Sequence, residues 1–225
     1  MRKILVIIPA RGGSKGIPHK NIKLMNGKPL ILYSIDVARE LVHDIDICVS
    51  TDEDEIIDIV ERYGLEVPFK RPEILATDTA TTNDVLLHAI NYYRSIGACY
   101  ELIVLLQPTS PLRKINHLRE ALALYKDSVD MVVSVKESSV GGVLCVEDEL
   151  GYLEPVFNKR GGRRQDMQSF YEYNGAIYII NINALERKGL QALDKKIKYI
   201  MPIEDSIDID NQYDWDIAEY LLMKQ

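Results

Sequence analysis

The chain has 225 residues, enough for one large domain that holds its core without a disulfide or structural metal. It is 47% hydrophobic and 27% charged, ordinary globular usage that excludes disordered, collagenous and coiled-coil architectures. A formal net charge of −7 disfavours a general nucleic-acid binder, so an anionic ligand would need cations gathered locally.

Met1-Arg2-Lys3 leads straight into the apolar run Ile4–Ile8, closed by Pro9. That run is too short for a signal-peptide core or a membrane span and reads as a buried strand. Leu30–Leu41 carries apolar residues at helical spacing after Pro29, a good first-turn residue. Ile45–Val49 reads as a second strand. Asp54–Tyr63 and Asn83–Ile96 read as helices closed by Gly64 and Gly97. Leu102–Leu106 has no polar face, which suits a parallel sheet covered on both sides. His117–Tyr125 is a predicted helix and Met131–Val135 a fourth strand.

After Lys136 the texture changes to turn-rich, short alternating segments and the basic glycine loop Lys159–Arg164, with another strand at Ala176–Ile180. Residues of about 140–190 are therefore expected to form an inserted lobe. A strand near Lys198–Pro202 and a helix over Asp214–Met223 complete the chain. The βαβα alternation implies an α/β, doubly wound, mainly parallel sheet with right-handed crossovers, in one domain over 1–225. Cys48, Cys99 and Cys145 are far apart and are expected as small buried hydrophobes in a reducing compartment. A soluble cytoplasmic protein without membrane or nucleic-acid partners is expected.

Five segments carry possible chemistry. The loop Pro9-Ala10-Arg11-Gly12-Gly13-Ser14-Lys15-Gly16-Ile17-Pro18-His19-Lys20-Asn21 follows the first strand, where open α/β sheets bind ligands. Its glycines allow a nest of backbone N–H groups, and Arg11, Lys15 and Lys20 supply cations for a polyphosphate. It is neither a Walker A sequence nor GxGxxG, and the bland alternative is a tight solvated turn. Asp208 and Asp210 alternate with Ile207 and Ile209, so strand-like geometry puts both carboxylates on one face, suited to Mg²⁺. The alternative is an exposed acidic strand end or a helix N-terminal acidic cluster, since Asp214 and Asp216 follow.

Gln107-Pro108-Thr109-Ser110-Pro111-Leu112-Arg113 makes a rigid turn after a buried strand, with Gln107 able to meet a substrate hydroxyl. A plain connection with Arg113 in solvent is the other reading. Arg71 precedes Pro72, and Asp78 through Thr82 lead into a helix, some as caps. Arg163 and Arg164 could fork onto a carboxylate, with Asn174-Gly175 and Tyr178 downstream. The four histidines have no metal spacing, and His88 and His117 are expected to be structural.

Together these segments resemble the acylneuraminate cytidylyltransferases, the CMP-sialic acid synthetase-like enzymes that activate nonulosonic sugars. The resemblance rests on IPARGGSKGIPHKN, VSTDEDEI, RPEILATDTAT, LLQPTSPLR, NGAIYI and IDIDNQYDWDIAE, in order from residue 4 to about 220. It implies a Rossmann-like nucleotidyltransferase sheet with a small dimerisation lobe at about 140–190. It implies that CTP and a nine-carbon 2-keto acid sugar give a CMP-sugar and pyrophosphate with Mg²⁺.

By resemblance, Arg11, Lys15 and Lys20 lie at the triphosphate, Asn21, Arg71 and Thr82 lie near the cytidine, and Ala10, Gly12, Gly13 and Ser14 complete the nucleotide-binding set. Family members often have Ser in place of Thr82, which keeps the hydroxyl. Gln107, Tyr178 and one of Arg163 and Arg164 match sugar-facing positions, and Asp208 and Asp210 match metal carboxylates. Arg11, Lys15, Lys20, Asp208 and Asp210 are the expected catalytic set. A homodimer is implied, each lobe reaching into the neighbouring site. Where sialic acid members carry adjacent aromatics after NGAIYI, this chain has Glu186-Arg187-Lys188-Gly189-Leu190-Gln191-Ala192-Leu193, which leaves the sugar open among N-acetylneuraminate, legionaminate and pseudaminate. The rivals are an enzyme for the eight-carbon sugar KDO, whose entry loop more often reads Arg-Leu-Pro-Gly-Lys-Pro, and a nucleotide-sensing module without turnover.

Overall fold

A computed structural model describes residues 2–13, 16–138, 144–147, 149, 151–156 and 169–224. In chain order the elements are β1 (Ile4–Pro9), a minimal hairpin of β2 (Leu24–Met25) and β3 (Lys28–Pro29), α1 (Leu30–Arg39), β4 (Ile47–Ser50) and α2 (Asp54–Arg62). Then come α3 (Thr82–Ser95), β5 (Leu102–Leu105), α4 (Ile115–Ala123), β6 (Met131–Ser138), β7 (Cys145–Glu147), β8 (Leu153–Pro155) and β9 (Phe170–Asn181). The last are α5 (Ile182–Lys188), β10 (Lys196–Ile200) and α6 (Gln212–Leu222).

The central sheet has the order β10-β6-β9-β5-β1-β4. β1 pairs parallel with β4 and β5, and β10 pairs parallel with β6. β9 runs antiparallel between β5 and β6. Alternate residues of the apolar strands feed two cores. Val6, Ile8, Leu102 and Val104 pack under α1, α2 and α4, on Ile35, Val60 and Leu118. Leu5, Ile7, Ile103 and Leu105 pack under α3 and α5, on Leu86, Ile90 and Leu185. This two-sided burial is why β5 has no polar face.

The expected lobe boundary needs correction. Ala176–Ile180 is part of β9 and lies in the middle of the main sheet, so β9 and the helix α5 that follows it belong to the main body and not to a lobe. What stands apart from it is the antiparallel pair β7–β8. The cysteine expectation holds only for Cys48, which is buried and whose thiol burial pushes up to about 12; Cys99 and Cys145 are exposed. Apolar neighbours in sequence do not bury a residue that sits at a surface turn or on a solvent-facing hairpin. Among the described residues, no helix is long and apolar enough to cross a membrane.

A third, smaller core joins the two ends of the chain. Ile17, Met25, Leu30, Ile209, Trp215 and Ala218 are all buried together. It closes the loop after β1 against the segment before α6. Asn211 caps α6 by accepting from the Asp214 N–H at 3.1 Å, which fixes where that segment ends.

Candidate active site

Two clefts open at the carboxyl ends of β1 and β5. The first, about 440 Å³, is lined by Pro9, Arg11, Gly16, Lys20, Asn21, Gln107, Pro108, Thr109, Asp208 and Asp210. The second, about 320 Å³, holds Arg71, Leu75, Thr77, Thr81, Thr82 and Val85, and shares Pro9 and Arg11 with the first. Residues from both ends of the chain therefore meet in one cavity, as the charge pattern of the sequence requires.

Ile209 is what brings the acidic pair there. It is fully buried in the third core, and its N–H donates to the Thr109 carbonyl at 2.9 Å. Its own carbonyl accepts from Lys20 Nζ at 2.5 Å. Burying an isoleucine contributes about 1.5–3 kcal/mol. That burial holds the aspartates on either side toward the cavity, which both line. The strand expected there is absent: these backbone bonds go to a loop and a lysine, with no ladder.

Asp208 is the more enclosed of the two. Burial pushes its pKa up, and Asp210 and Asp214 push the same way, against a hydrogen bond from Thr109 and the charge of Lys20. Burial pushes the Lys20 pKa down, against the pull of Asp210, Asp208 and Asp214. Lys20 is thus the cation that offsets the acidic pair from across nearly the whole sequence.

In the loop after β1, Ala10 is buried and its N–H donates to Ser50 O at 2.9 Å. Asn21 shapes the loop by donating to the Arg11 carbonyl at 3.0 Å. Arg11 pairs with Asp78 at 2.9 Å, on the wall common to both clefts. The Gly12 N–H donates to Asp52 at 3.2 Å, and among the described residues nothing lies within 4 Å of where a Gly13 Cβ would stand. Ser14 and Lys15 lie outside the described residues, as do Arg163 and Arg164.

Gly16 is where the loop meets the acidic segment. A Cβ there would lie 2.1 Å from the Asp210 carbonyl oxygen, a backbone atom that cannot swing away. Gly16→Ala should therefore push the loop off the acidic segment. The expected result is a loss of about 1–3 kcal/mol and a melting temperature several degrees lower; thermal denaturation checks it, and an unaltered melting temperature would mean that the close approach is unimportant.

The second cleft is built on a buried arginine. Arg71 donates to the carbonyl and hydroxyl of Ser50 at the end of β4, and burial pushes its pKa down. Thr81 caps α3 through the Asp84 N–H, which leaves Thr82 on the cleft wall. Gln107 lies on the wall of the first cleft. Tyr178 sits nearby, its hydroxyl pushed up to about 12 by burial and by the charge of Asp208.

Arg113 is a residue that sequence reasoning left open. It is buried, not solvated, and donates to Ala176 O at 2.7 Å, Gln107 O at 3.0 Å and the Ser34 hydroxyl. It fastens the turn after β5 to β9 and α1. The buried alternation before it carried no sign of this. His117 is structural, its Nδ1 accepting from the Lys114 N–H at 3.2 Å.

Comparison with known proteins identifies the family. The cytidylyltransferase family model matches residues 5–154. The chain is 34% identical over 223 residues to the CMP-N,N'-diacetyllegionaminic acid synthase of Legionella pneumophila, covering 98% of this chain and 96% of that protein. It is 39% identical over 218 residues to an N-acylneuraminate cytidylyltransferase of Streptococcus agalactiae, of which it spans about half, 52%. Among solved structures, a CMP:2-keto-3-deoxy-manno-octonic acid synthetase complexed with CTP superposes with a TM-score of 0.71 at 16% identity, covering 99% of each chain. The 4-diphosphocytidyl-2C-methyl-D-erythritol synthase of Anaerococcus prevotii superposes with a TM-score of 0.69 at 14% identity, again covering 99% of each. These two share the fold. The family match and a relative of nearly equal length, a third identical, make this chain a member of the cytidylyltransferase family.

Proposed function

We propose that this enzyme transfers CMP from CTP to a nonulosonic acid sugar and releases pyrophosphate. The observation that carries the reading is the single cleft holding Arg11, Lys20, Gln107, Asp208 and Asp210. The relatives named as legionaminic acid and N-acylneuraminate enzymes support the sugar class.

In this reading the cytidine occupies the second cleft, against Arg71 and Thr82, with Asn21 on the near wall of the first. The phosphates cross the shared wall at Arg11 and extend toward Lys20. The sugar stands in the first cleft against Gln107 and Tyr178; by resemblance its carboxylate falls to Arg163 or Arg164, which lie outside the described residues. Its C2 hydroxyl oxygen bonds to the α-phosphorus while the α–β bridging bond breaks, the electron pair leaves on pyrophosphate, and the hydroxyl proton passes to solvent. Catalysis is positioning and charge neutralisation. Arg11 and Lys20 stabilise the charge that grows on the leaving group and the α-phosphoryl oxygens.

Asp208 and Asp210 suit Mg²⁺. They offer hard oxygen donors on one wall, and among the described residues no third His, Cys, Asp or Glu joins them to form a closed cage. An ion that keeps several waters and takes substrate phosphate oxygens fits such a pair. When bound, Mg²⁺ would polarise the α-phosphoryl oxygen.

A second copy of the chain is the proposed partner. β7–β8 and the start of β9 expose Leu144, Val146, Tyr152, Leu153, Val156 and Tyr173, an apolar group that suits a homodimer contact. The reaction belongs in the cytoplasm, where CTP is available.

The test is pyrophosphate release with CTP and Mg²⁺ against N-acetylneuraminate, legionaminate, pseudaminate and KDO. Release with at least one nine-carbon sugar, abolished by EDTA, is expected. Release with KDO alone would move the substrate to the eight-carbon class. CTP binding without release from any sugar would replace the enzyme by a nucleotide sensor.

A further inference from the structure

Asn-Gly in a sequence is a strong hairpin signal, yet Asn174-Gly175 sits inside the long strand β9. The pairing with β6 explains it. Val133 faces Tyr178 and Val135 faces Tyr173, so Ser134 alone spans Asn174 to Ile177. This is a bulge, a device that bends a strand and re-aims its residues beside functional sites. It points at the acidic segment.

Asn174 is buried, and its amide is fully engaged. Its Oδ1 accepts from the Ser134 hydroxyl at 2.6 Å and from the Ala176 N–H at 3.3 Å. Its Nδ2 donates to the Ser206 hydroxyl at 2.9 Å and reaches Met201 Sδ at 3.3 Å. Ser206 in turn donates to the Pro202 carbonyl at 2.7 Å. The side chain therefore ties the bulge to the backbone that carries Asp208 two residues later. Gly175 completes the contact. Its φ is +71°, and a Cβ there would lie 2.6 Å from Asp208 Oδ2 and 2.8 Å from Gln107 Oε1. The carboxylate and the amide both rest against a bare Cα.

We infer that the Asn174-Gly175 bulge is the positioning element of the reaction centre. Asn174 sets the height of the Ser206–Asp210 segment through Ser206, and Gly175 is the surface on which the Asp208 carboxylate and the Gln107 amide stand side by side. Neither residue touches the reacting atoms; both act through Asp208 and Gln107. The inference rests on the role given to Asp208 under the proposed function.

Ser206→Ala and Gly175→Ala test it from two sides. The first removes one hydroxyl without adding bulk, so it keeps the fold. The second inserts a methyl between Asp208 and Gln107. Both are compared with the unmodified enzyme by kcat and KM for CTP, and by Mn²⁺ binding followed by electron paramagnetic resonance, with and without CTP. The expected result for Ser206→Ala is a tenfold or greater fall in kcat, KM for CTP within twofold, weaker Mn²⁺ binding, and a melting temperature lowered by about 5–10 °C as the Asn174 amide and the Pro202 carbonyl each lose a buried partner, with assays run well below it. Gly175→Ala is expected to lose more than a hundredfold in kcat. Unchanged kcat and Mn²⁺ binding in folded Ser206→Ala and Gly175→Ala would overturn the inference. So would losses that merely follow the folded fraction. If the unmodified enzyme activates no sugar, the proposed function fails while the Mn²⁺ comparison still decides the role of the bulge.

Discussion

Asp208→Asn is expected to make the protein more stable and nearly inactive. In the folded state the Asp208 carboxylate is enclosed beside Asp210 and Asp214, and its pKa is raised, burial being the first cause. A carboxyl group whose folded pKa exceeds the unfolded value favours folding while protonated. That benefit disappears as pH rises from the ordinary aspartate value, about 3.9, through the raised one. At neutral pH the metal-free enzyme carries the full penalty. Asparagine keeps the shape and can still accept from the Thr109 hydroxyl, but it brings no charge. Melting curves in EDTA at pH 7 should therefore show the variant a few degrees above the parent, with the gap closing as the pH approaches 4. Turnover should fall by about two to three orders of magnitude, the usual cost of losing one preorganised electrostatic group. A variant that melts lower and keeps its turnover would remove Asp208 from the site.

Arg113→Ala should produce the opposite pattern, a large loss of stability. The guanidinium is buried, and it bonds three neutral oxygens on Ala176, Gln107 and Ser34. Burial pushes its pKa down, with the charge of Asp208 opposing. Truncation recovers the cost of burying a cation. It also strands three acceptors, at about 1–3 kcal/mol each, and opens a cavity. The second group is larger, for a net loss of about 3–5 kcal/mol. In a domain of this size that lowers the melting temperature by roughly 10 °C. Arg113→Lys should fall between, because an ammonium keeps the charge but cannot span all three acceptors. Thermal and urea denaturation would check this, and a melting point within 2 °C of the parent would show that the clamp is dispensable.

The parts of the fold that were legible in the sequence are those where local pattern and burial coincide. Ile4–Ile8 and Leu102–Leu106 could only be buried strands. The glycine loop had to follow the first of them, and its positive charge called for a distant acidic partner. That Asp208 and Asp210 face one cavity was also legible, but from the wrong element. Alternation survives in an extended loop, where Ile209 is held by Thr109 and Lys20 in place of a neighbouring strand. Strand direction left no local trace, so the antiparallel insertion of β9 and the true edge of the lobe were hidden. Asn174-Gly175 gave no sign of its place, because the same backbone freedom serves a tight turn and a bulge. Arg113 was undecidable because its three acceptors come from elements far apart in the chain.

The small core around Ile209 has a consequence for biosynthesis. Ile17 is made long before Trp215 and Ala218, with which it is buried. A nascent chain with its sheet already assembled still lacks the contact that seats the acidic residues opposite the glycine loop. The third core is therefore complete only once Trp215 has left the exit tunnel and can meet Ile17 and Ile209.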